Sequence, residues 1–177
     1  HYFQVDVRDE RKLSELLDEI YKKFGKINGV INGAGIIEDK LIPDKTPDSF
    51  ERVFNTKVQS SFILSKKLNF SQLKFFVLFS SIAGIFGNKG QVDYSSANEI
   101  LNRLALYLGS KFGCKTVAIN WGPWDEVGMV GEELKKEFRK KGIKLISPSE
   151  GRKVFIREIS QDGESVVIIE GEDEEGN

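Results

Sequence analysis

The sequence has almost none of the residues from which metal sites and disulfides are built. It contains one cysteine and one histidine among 177 residues. A single cysteine excludes an internal disulfide, and there is no Cys/His cluster that could hold zinc. We therefore expect a protein without a metal that resides in a reducing compartment, the cytoplasm.

An excess of one charge and a long apolar run are missing as well. The 26 basic and 27 acidic side chains leave a net charge of −1, which is not the basic footprint of a nucleic-acid-binding domain. No apolar run approaches the roughly 20 residues of a membrane span. A hydrophobic content of 40% nevertheless excludes wholesale disorder and suffices for one globular core.

The chain also has neither an initiator methionine nor a signal peptide. It begins His1-Tyr2-Phe3, without the charged and apolar regions of a secretory signal. The sequence therefore leads us to expect a domain, or a piece of one, that belongs to a longer protein.

What is present is an alternation of short apolar runs and amphipathic stretches, typical of a parallel α/β sheet. The apolar runs predict five strands, at residues 2–7, 27–31, 74–79, 115–121 and 166–169. Periodicity and capping signals predict helices at residues 10–24, 46–67, 91–110, 131–141 and 147–159. This order predicts a doubly wound parallel sheet of the Rossmann-like α/β class, which binds ligands beyond the carboxyl ends of its strands.

Polar and glycine-rich residues stand at those strand ends. The segment Asn32-Gly33-Ala34-Gly35 allows a backbone to approach a ligand closely, but it also suits a tight turn. Ser80 and Ser81 follow the next strand, where a serine pair is often only a cap or a turn. On the following helix, Tyr94 and Asn98 share a face with apolar core positions. Tyr94 is therefore either a functional phenol or an aromatic residue at the edge of the core.

The combination of these residues resembles a known family. Residues 79–98, FSSIAGIFGNKGQVDYSSAN, are similar to the active-site signature of the ketoreductase domains of polyketide synthases, which belong to the short-chain dehydrogenase/reductase superfamily. Residues 120–124 and 128–129 resemble the nicotinamide-side motif of that family. The stretch at 98–102 is most similar to ketoreductases of polyunsaturated-fatty-acid synthases, and the resemblance covers nearly the whole chain.

The catalytic tetrad of this family carries over by resemblance. The family tyrosine matches Tyr94, and its serine, 13 residues earlier, matches Ser81 rather than Ser80. These ketoreductases have asparagine four residues after the tyrosine and lysine on the preceding helix, which matches Asn98 and Lys57. The resemblance implies that Ser81 hydrogen-bonds a ketone oxygen and that Tyr94 delivers a proton to it. Lys57 would lower the pKa of the phenol and hold the nicotinamide ribose, and Asn98 would orient Lys57 or a relay water.

Other cofactor and substrate positions follow from the same resemblance. Asp6 and Val7 match the residues that meet the adenine. The further cofactor-binding residues that it implies are Asn32, Gly33, Ala34, Gly35, Gly122, Pro123 and Trp124. Met129 and the charged helix that follows it would form a lid over the substrate, at about residues 125–147.

The resemblance also bears on stereochemistry. Ile37-Glu38-Asp39 keeps the final aspartate of a Leu-Asp-Asp motif that marks one stereochemical type. The tryptophan position that marks the other type holds Phe86. With Gln91, these residues form the expected stereocontrol set, and they predict the 3R (D) hydroxyl product.

One part of the family pattern is missing. No Thr-Gly-x-x-x-Gly-x-Gly motif occurs in the chain, so the opening strands of such a fold and its glycine-rich turn are absent from it. The helix N-terminus that would bind the pyrophosphate is absent with them. We therefore expect residues 1–170 to be the catalytic portion, followed by an acidic tail at 171–177. We also expect this piece alone to bind the cofactor poorly.

The resemblance thus implies reduction of a β-ketoacyl thioester by NADPH, the reductant customary in the family. The thioester would be carried on acyl carrier protein, and other domains of a multienzyme synthase would be further partners. The alternative is a catalytically silent fragment with a structural or docking role. The complete tetrad favours the enzyme, because a scaffold needs none of those residues.

Overall fold

The computed structural model describes residues 1–129 and 131–171 of the chain. The strands are β1 (Gly29–Asn32), β2 (Phe75–Ser81), β3 (Lys115–Trp121) and β4 (Val166–Ile169). The helices are α1 (Glu10–Phe24), α2 (Pro47–Lys67), α3 (Ala83–Phe86), α4 (Val92–Phe112), α5 (Glu132–Lys140) and α6 (Pro148–Ser160). Two short 3-10 turns, Ile42–Asp44 and Phe70–Gln72, precede α2 and β2.

The strands form one parallel sheet in the order β1-β2-β3-β4. The central strands β2 and β3 pair over their whole length, so that Ser81 at the end of β2 is level with Trp121 at the end of β3. Because parallel strands run in one direction, β1, β2 and β3 present their carboxyl ends at the same edge of the sheet.

Alternate residues of the central strands enter cores on opposite faces of the sheet. Phe76 and Leu78 of β2 pack with residues of α1 and α4, whereas Val77 belongs to a second core that includes residues of α6. A strand that is buried on both faces has to be apolar throughout, which explains the continuous run in β2. Helices on both faces confirm the predicted α/β class.

Local signals place the helix starts correctly. The side chains of Asp9, Thr46 and Ser147 accept hydrogen bonds from backbone amides in the first turns of α1, α2 and α6. Ser147 and Glu150 form the expected capping box. These bonds satisfy amides that no helical carbonyl can reach, which is why such residues predict helix boundaries.

The strand predicted at residues 2–7 is wrong. Within the described residues this segment joins no sheet, and β1 pairs only with β2. The ring of His1 packs on Phe24 of α1 instead, with the ring centroids 5.1 Å apart. The apolar alternation indicated a segment suited to a sheet, but a strand also requires a neighbouring strand to complete its hydrogen bonds.

Smaller differences concern α3 and the chain end. The four-residue α3 was not expected, because the sequence after Ser81 predicted only a glycine-bearing loop. The predicted acidic tail lies outside the described residues beyond Gly171. In residues 1–129 and 131–171, no helix is long and apolar enough to cross a bilayer, and no group of His, Cys, Asp or Glu could hold a metal ion.

Candidate active site

A cleft with a volume of about 540 Å³ opens at the carboxyl ends of the strands. The predicted site residues that line it are Gly33, Asp39, Lys57, Ser81, Phe86, Gln91, Tyr94, Gly122, Pro123, Trp124 and Met129. The predicted residues that do not line it are Asp6, Val7, Asn32, Ala34, Gly35 and Asn98. The sheet topology therefore gathers most of the predicted site into one place.

Lys57 reaches the cleft from α2 and is almost wholly buried, with 3% of its surface exposed. Its Nζ donates a hydrogen bond of 2.8 Å to the carbonyl oxygen of Phe79 on β2. The same Nζ lies 5.3 Å from the centroid of the Tyr94 ring. Burial disfavours the ammonium and lowers the pKa of Lys57 to about 8. The lysine is thus a buried cation against the face of the phenol ring.

Tyr94 enters the cleft from the first turn of α4. Burial raises the pKa of its phenol, while the neighbouring polar side chains of Asn98 and Ser81 act against this rise. The net shift is therefore opposite in direction to the lowering expected from Lys57, because burial is the largest influence on the Tyr94 pKa. A phenol is protonated at neutral pH already at its ordinary pKa of about 10, so Tyr94 is in the state that a proton donor requires.

Asn98 lies one turn after Tyr94 and is fully buried. Its Nδ2 donates a hydrogen bond of 2.8 Å to the Tyr94 carbonyl, so the amide does not orient Lys57 directly. Its Oδ1 has no hydrogen-bond partner within the described part of the chain. A buried acceptor without a partner is costly, so this oxygen is suited to a donor supplied by a ligand or a water. A Cβ on Gly84 would lie 2.9 Å from the Asn98 Cβ, so glycine allows α3 to pack here.

The two serines at the end of β2 differ in their hydrogen bonds. Ser80 is buried, and its hydroxyl makes hydrogen bonds of 2.9 Å with Asn120 Oδ1 and 3.1 Å with the Asn98 carbonyl. Ser81 accepts a hydrogen bond of 3.2 Å from the Ala83 amide, which leaves its hydroxyl proton for another acceptor. The geometry thus supports the choice of Ser81 over Ser80 as the residue that meets a ligand.

A buried polar network behind the serines was not predicted from the sequence. The amide of Asn120 donates to Asn102 Oδ1 at 2.9 Å and to the Val167 carbonyl at 3.2 Å, while its Oδ1 bonds Ser80. This network joins β2, β3, β4 and α4 behind the cleft. The signal was the presence of asparagines at positions that the apolar pattern assigns to the core.

The glycine-rich loop after β1 is shaped by its asparagine. The Asn32 amide donates hydrogen bonds of 3.0 Å to Ser60 and 2.8 Å to Ser61 on α2, and its Oδ1 accepts from the Ala34 amide at 3.2 Å. Its side chain therefore holds the loop in place and does not face the cleft. A Cβ on Gly35 would lie 3.0 Å from Lys57 Cε, so glycine gives Lys57 its space.

The segment predicted as a lid joins the sheet at a narrow neck. The Ile146 amide donates to the Pro123 carbonyl and the Asp125 amide to the Ile146 carbonyl, each at 2.8 Å. Trp124 packs on Trp121 with ring centroids 4.8 Å apart. Beyond the neck, Arg139 of α5 donates to both carboxylate oxygens of Asp125, at 2.8 and 2.9 Å. The residues of this segment that line the cleft are Val127, Gly128, Met129, Leu134, Phe138 and Ile143.

The residues expected to control stereochemistry lie together on another wall. Gln91 donates a hydrogen bond of 2.9 Å to Asp39 Oδ2, and Asn88 donates one of 3.0 Å to Gln91. Phe86 is 70% exposed at the same cleft. The position of Asp39 is thus set by a chain of side-chain hydrogen bonds.

Asp6 and Val7 lie away from this cleft. The Asp6 carboxylate is bound by the Arg8 guanidinium at 2.8 Å, and hydrogen bonding to Arg8 lowers the pKa of Asp6 to about 2. Asp6 lines a separate, open depression with residues of α2, including Asp48 and Asn55. Its role toward an adenine stays a prediction.

Sequence reasoning also missed Lys45 and Asp93, an ion pair beside the cleft. A single lysine in a loop and a single aspartate before Tyr94 have no spacing that links them. The structure buries Asp93 in the first turn of α4, and nothing in the sequence indicated that this charged side chain would be buried.

Comparison with known proteins adds an independent finding. A family model described as KR domain matches residues 1–126. The chain is 40% identical over 151 residues, 85% of its length, to one subunit of the polyunsaturated fatty acid synthase of Thraustochytrium sp.. It is 31% identical over 179 residues, 97% of its length, to polyketide synthase PksN of Bacillus subtilis. It spans only 5% and 3% of the lengths of these two relatives.

Among solved structures, the chain is similar to an N-terminal ketoreductase from the macrolactin assembly line. The TM-score is 0.84 with 31% sequence identity. The match covers 97% of this chain and 34% of the other. Sequence and structure comparisons therefore agree with each other.

Proposed function

The chain belongs to the KR domain family of the short-chain dehydrogenase/reductase superfamily, and from this membership we propose that it is the catalytic portion of a ketoreductase. The proposed reaction is the reduction of a β-ketoacyl thioester to the 3-hydroxyacyl product within a polyketide or fatty-acid synthase. Family membership alone supports ketone reduction as the class of reaction. The remaining details depend on the residues of the cleft.

The observation that carries the proposal is the convergence of three side chains from three elements. Lys57 comes from α2, Ser81 from the end of β2 and Tyr94 from α4, and all three line one cleft. Nothing in the packing of the sheet requires a buried lysine beside a buried phenol, and burying a lone charge costs free energy. Such an arrangement is typical of a functional site.

The residues of the cleft fit the reactive end of a nicotinamide cofactor, for which we propose NADPH. The buried donor Lys57 Nζ and the hydroxyls of Ser81 and Tyr94 line the cleft and are suited to a polar ligand. Lys57 would hold the ribose hydroxyls, while Gly33 and the backbone at Gly122 and Pro123 would border the ring. The bound cofactor would supply the hydride for the ketone carbon.

The chain's own residues account for the charge that develops on the ketone oxygen. Ser81 donates a hydrogen bond to that oxygen, because its hydroxyl accepts from the Ala83 amide and its own proton remains available. Tyr94, which is protonated at neutral pH like any phenol, transfers the proton. The Lys57 ammonium stabilises the phenolate that remains. The phenolate then regains its proton from solvent before the next turnover.

We propose acyl carrier protein with its thioester as the substrate carrier, with other synthase domains as further partners. Asp39, held by Gln91, and Phe86 in place of a tryptophan support the 3R product. The lid segment covers the cleft with apolar side chains, which suits an acyl chain. The absence of the glycine-rich motif favours the silent-fragment alternative, but that alternative leaves the buried Lys57 beside Tyr94 unexplained.

The test is turnover of the full-length protein with a small β-ketoacyl thioester, followed by NADPH absorbance and by chiral analysis of the product. We expect NADPH consumption equal to the amount of 3R-hydroxyacyl thioester formed. The matched control is the same assay with NADH. Absence of turnover in folded protein would contradict the proposal, and a 3S product would overturn the stereochemical assignment.

A pair of variants tests the division of labour between the serines. Ser81→Ala removes one hydrogen bond to the developing negative charge, and we expect kcat to fall about 10²-fold. Ser80→Ala should leave kcat within about threefold, but it should lower the free energy of unfolding by about 1 kcal/mol, because buried hydrogen bonds are lost. Steady-state kinetics and denaturant unfolding of both variants give the comparison. The reverse pattern would reassign the catalytic role to Ser80.

A further inference from the structure

Two buried side chains of opposite charge, Lys45 and Asp93, meet behind the wall of the cleft. Lys45 Nζ lies 2.6 Å from Asp93 Oδ2, and the two side chains are only 5% and 2% exposed. Lys45 follows the 3-10 turn that leads into α2, and Asp93 lies in the first turn of α4. The pair therefore joins segments that are 48 residues apart in the sequence.

The remaining hydrogen bonds of the pair are directed at the backbone next to proposed site residues. Lys45 Nζ also donates to the carbonyl oxygen of Glu38, the residue before Asp39. Asp93 Oδ1 accepts a hydrogen bond of 2.8 Å from the amide of Tyr94. The ion pair thus links the backbone at Asp39 to the backbone at Tyr94.

Two further contacts tie the same segments together. The Lys40 amide donates a hydrogen bond of 2.9 Å to the Gly90 carbonyl, and Gln91 donates one of 2.9 Å to the Asp39 carboxylate. The Glu38 carboxylate takes no part, because it is bound by Arg52 and Ser49 of α2. Lys45 and Asp93 therefore form the charged centre of the contact between these segments.

Stability alone does not account for this pair. Removing two charges from water costs about as much as their attraction returns, and apolar residues of similar volume often replace such a pair at no cost. What the pair supplies is a fixed geometry. Each buried charge is compensated only when it contacts the other, so the two segments that carry them must lie in one relative position. Here the groups that it fixes are the segments that carry Tyr94 and Asp39.

We propose that Lys45 and Asp93 are a positioning pair that sets where Tyr94 stands relative to Asp39. The pair thereby determines which face of the ketone is presented for reduction. This inference rests on the proposed ketoreductase function. It assigns no chemical step to either residue, and both act through the residues that they hold in place.

The test compares double variants in the full-length protein. Lys45→Met/Asp93→Asn removes both charges, so no lone charge stays buried, and the amide oxygen of the introduced asparagine can still accept the Tyr94 amide. The matched control is Lys66→Met/Glu10→Gln, which removes an exposed pair between α2 and α1 at 3.7 Å. The readouts are kcat, KM and the ratio of 3R to 3S product with a small β-ketoacyl thioester, together with circular dichroism.

We expect the product ratio to fall about fivefold or more and kcat about tenfold, with KM within about threefold, because small displacements of a proton donor are costly. The control pair should leave all three within about twofold. A folded double variant with the product ratio and kcat of the wild type overturns the positioning role. If the methionine variant does not fold, Lys45→Leu/Asp93→Asn is measured against the same two outcomes. A wild-type protein that reduces no ketone is a failure of the proposed function instead.

Discussion

Replacing Tyr94 by phenylalanine is expected to lower kcat for ketone reduction about 10³-fold, within the range that a positioned acid contributes. Phenylalanine fills the same volume and keeps the ring face against Lys57, so the fold should persist. What is lost is the phenol proton that Tyr94 donates to the ketone oxygen. Steady-state kinetics followed by NADPH absorbance measure the effect.

The matched control for this variant is Tyr107→Phe. Tyr107 lies on the same helix and is exposed, and among the described residues its hydroxyl accepts a hydrogen bond only from Lys111, at 2.9 Å. We expect its kcat to equal that of the wild type. If Tyr94→Phe kept more than about a tenth of the wild-type kcat, well above the loss expected of a general acid, the proton would have to come from another donor.

Replacing Lys57 by methionine is expected to make the protein less active and more stable. Activity should fall about 10²-fold or more, because the phenolate left by proton transfer loses its counter-charge. The shift of the Lys57 pKa from 10.5 to about 8 corresponds to about 3 kcal/mol against the buried ammonium. The lost hydrogen bond to Phe79 offsets about 1 kcal/mol. The net gain in the free energy of unfolding at pH 7 is therefore about 2 kcal/mol.

This gain in stability should depend on pH with a definite sign. At pH 7 the lysine is charged in both the folded and the unfolded chain, so the wild type bears the full cost of burial. Between pH 8 and 10.5 the folded protein loses the proton first, and the cost fades. The difference between Lys57→Met and wild type should therefore narrow over that interval.

Denaturant unfolding of the domain at both ends of the interval measures this difference. The control is Lys66→Met, at an exposed lysine. The difference in unfolding free energy between this variant and the wild type should not narrow between pH 8 and 10.5. A Lys57→Met variant that is less stable than wild type at pH 7 would contradict the assignment of burial as the cause of the lowered pKa. The same titration of Lys57 predicts that wild-type activity declines above about pH 8.

The parts of the fold that could be predicted from the sequence are those that local chemistry decides. The caps at Thr46 and Ser147 act within one turn, so the starts of α2 and α6 follow from a few residues. The bounds of β3 also match, because its apolar centre, residues 117–119, is buried on both faces of the sheet. Residues 2–7 differ, since a strand depends on a neighbour that a local pattern does not reveal.

In the candidate site, too, some features could be predicted from the sequence and others depend on long-range contacts. Ser81, Tyr94 and Lys57 line one cleft, as expected, because parallel strands and helices of regular length place such positions at one edge. The pairing of Lys45 with Asp93 could not be predicted, since it depends on a contact across 48 residues. The direction of the Tyr94 pKa was wrong for a related reason, because the extent of burial is a property of the folded structure.

The neck formed by Pro123, Asp125 and Ile146 has a consequence for how such domains can diversify. Two backbone hydrogen bonds close the segment at its base. No strand of the sheet lies between Asp125 and Ile146 among the described residues. Because surface loops tolerate insertions at little thermodynamic cost, the covering segment can be lengthened, shortened or recomposed without disturbing Tyr94 or Lys57. In the proposed ketoreductase, the residues that contact the substrate chain and those that transfer the proton therefore lie on separate segments, which can change independently.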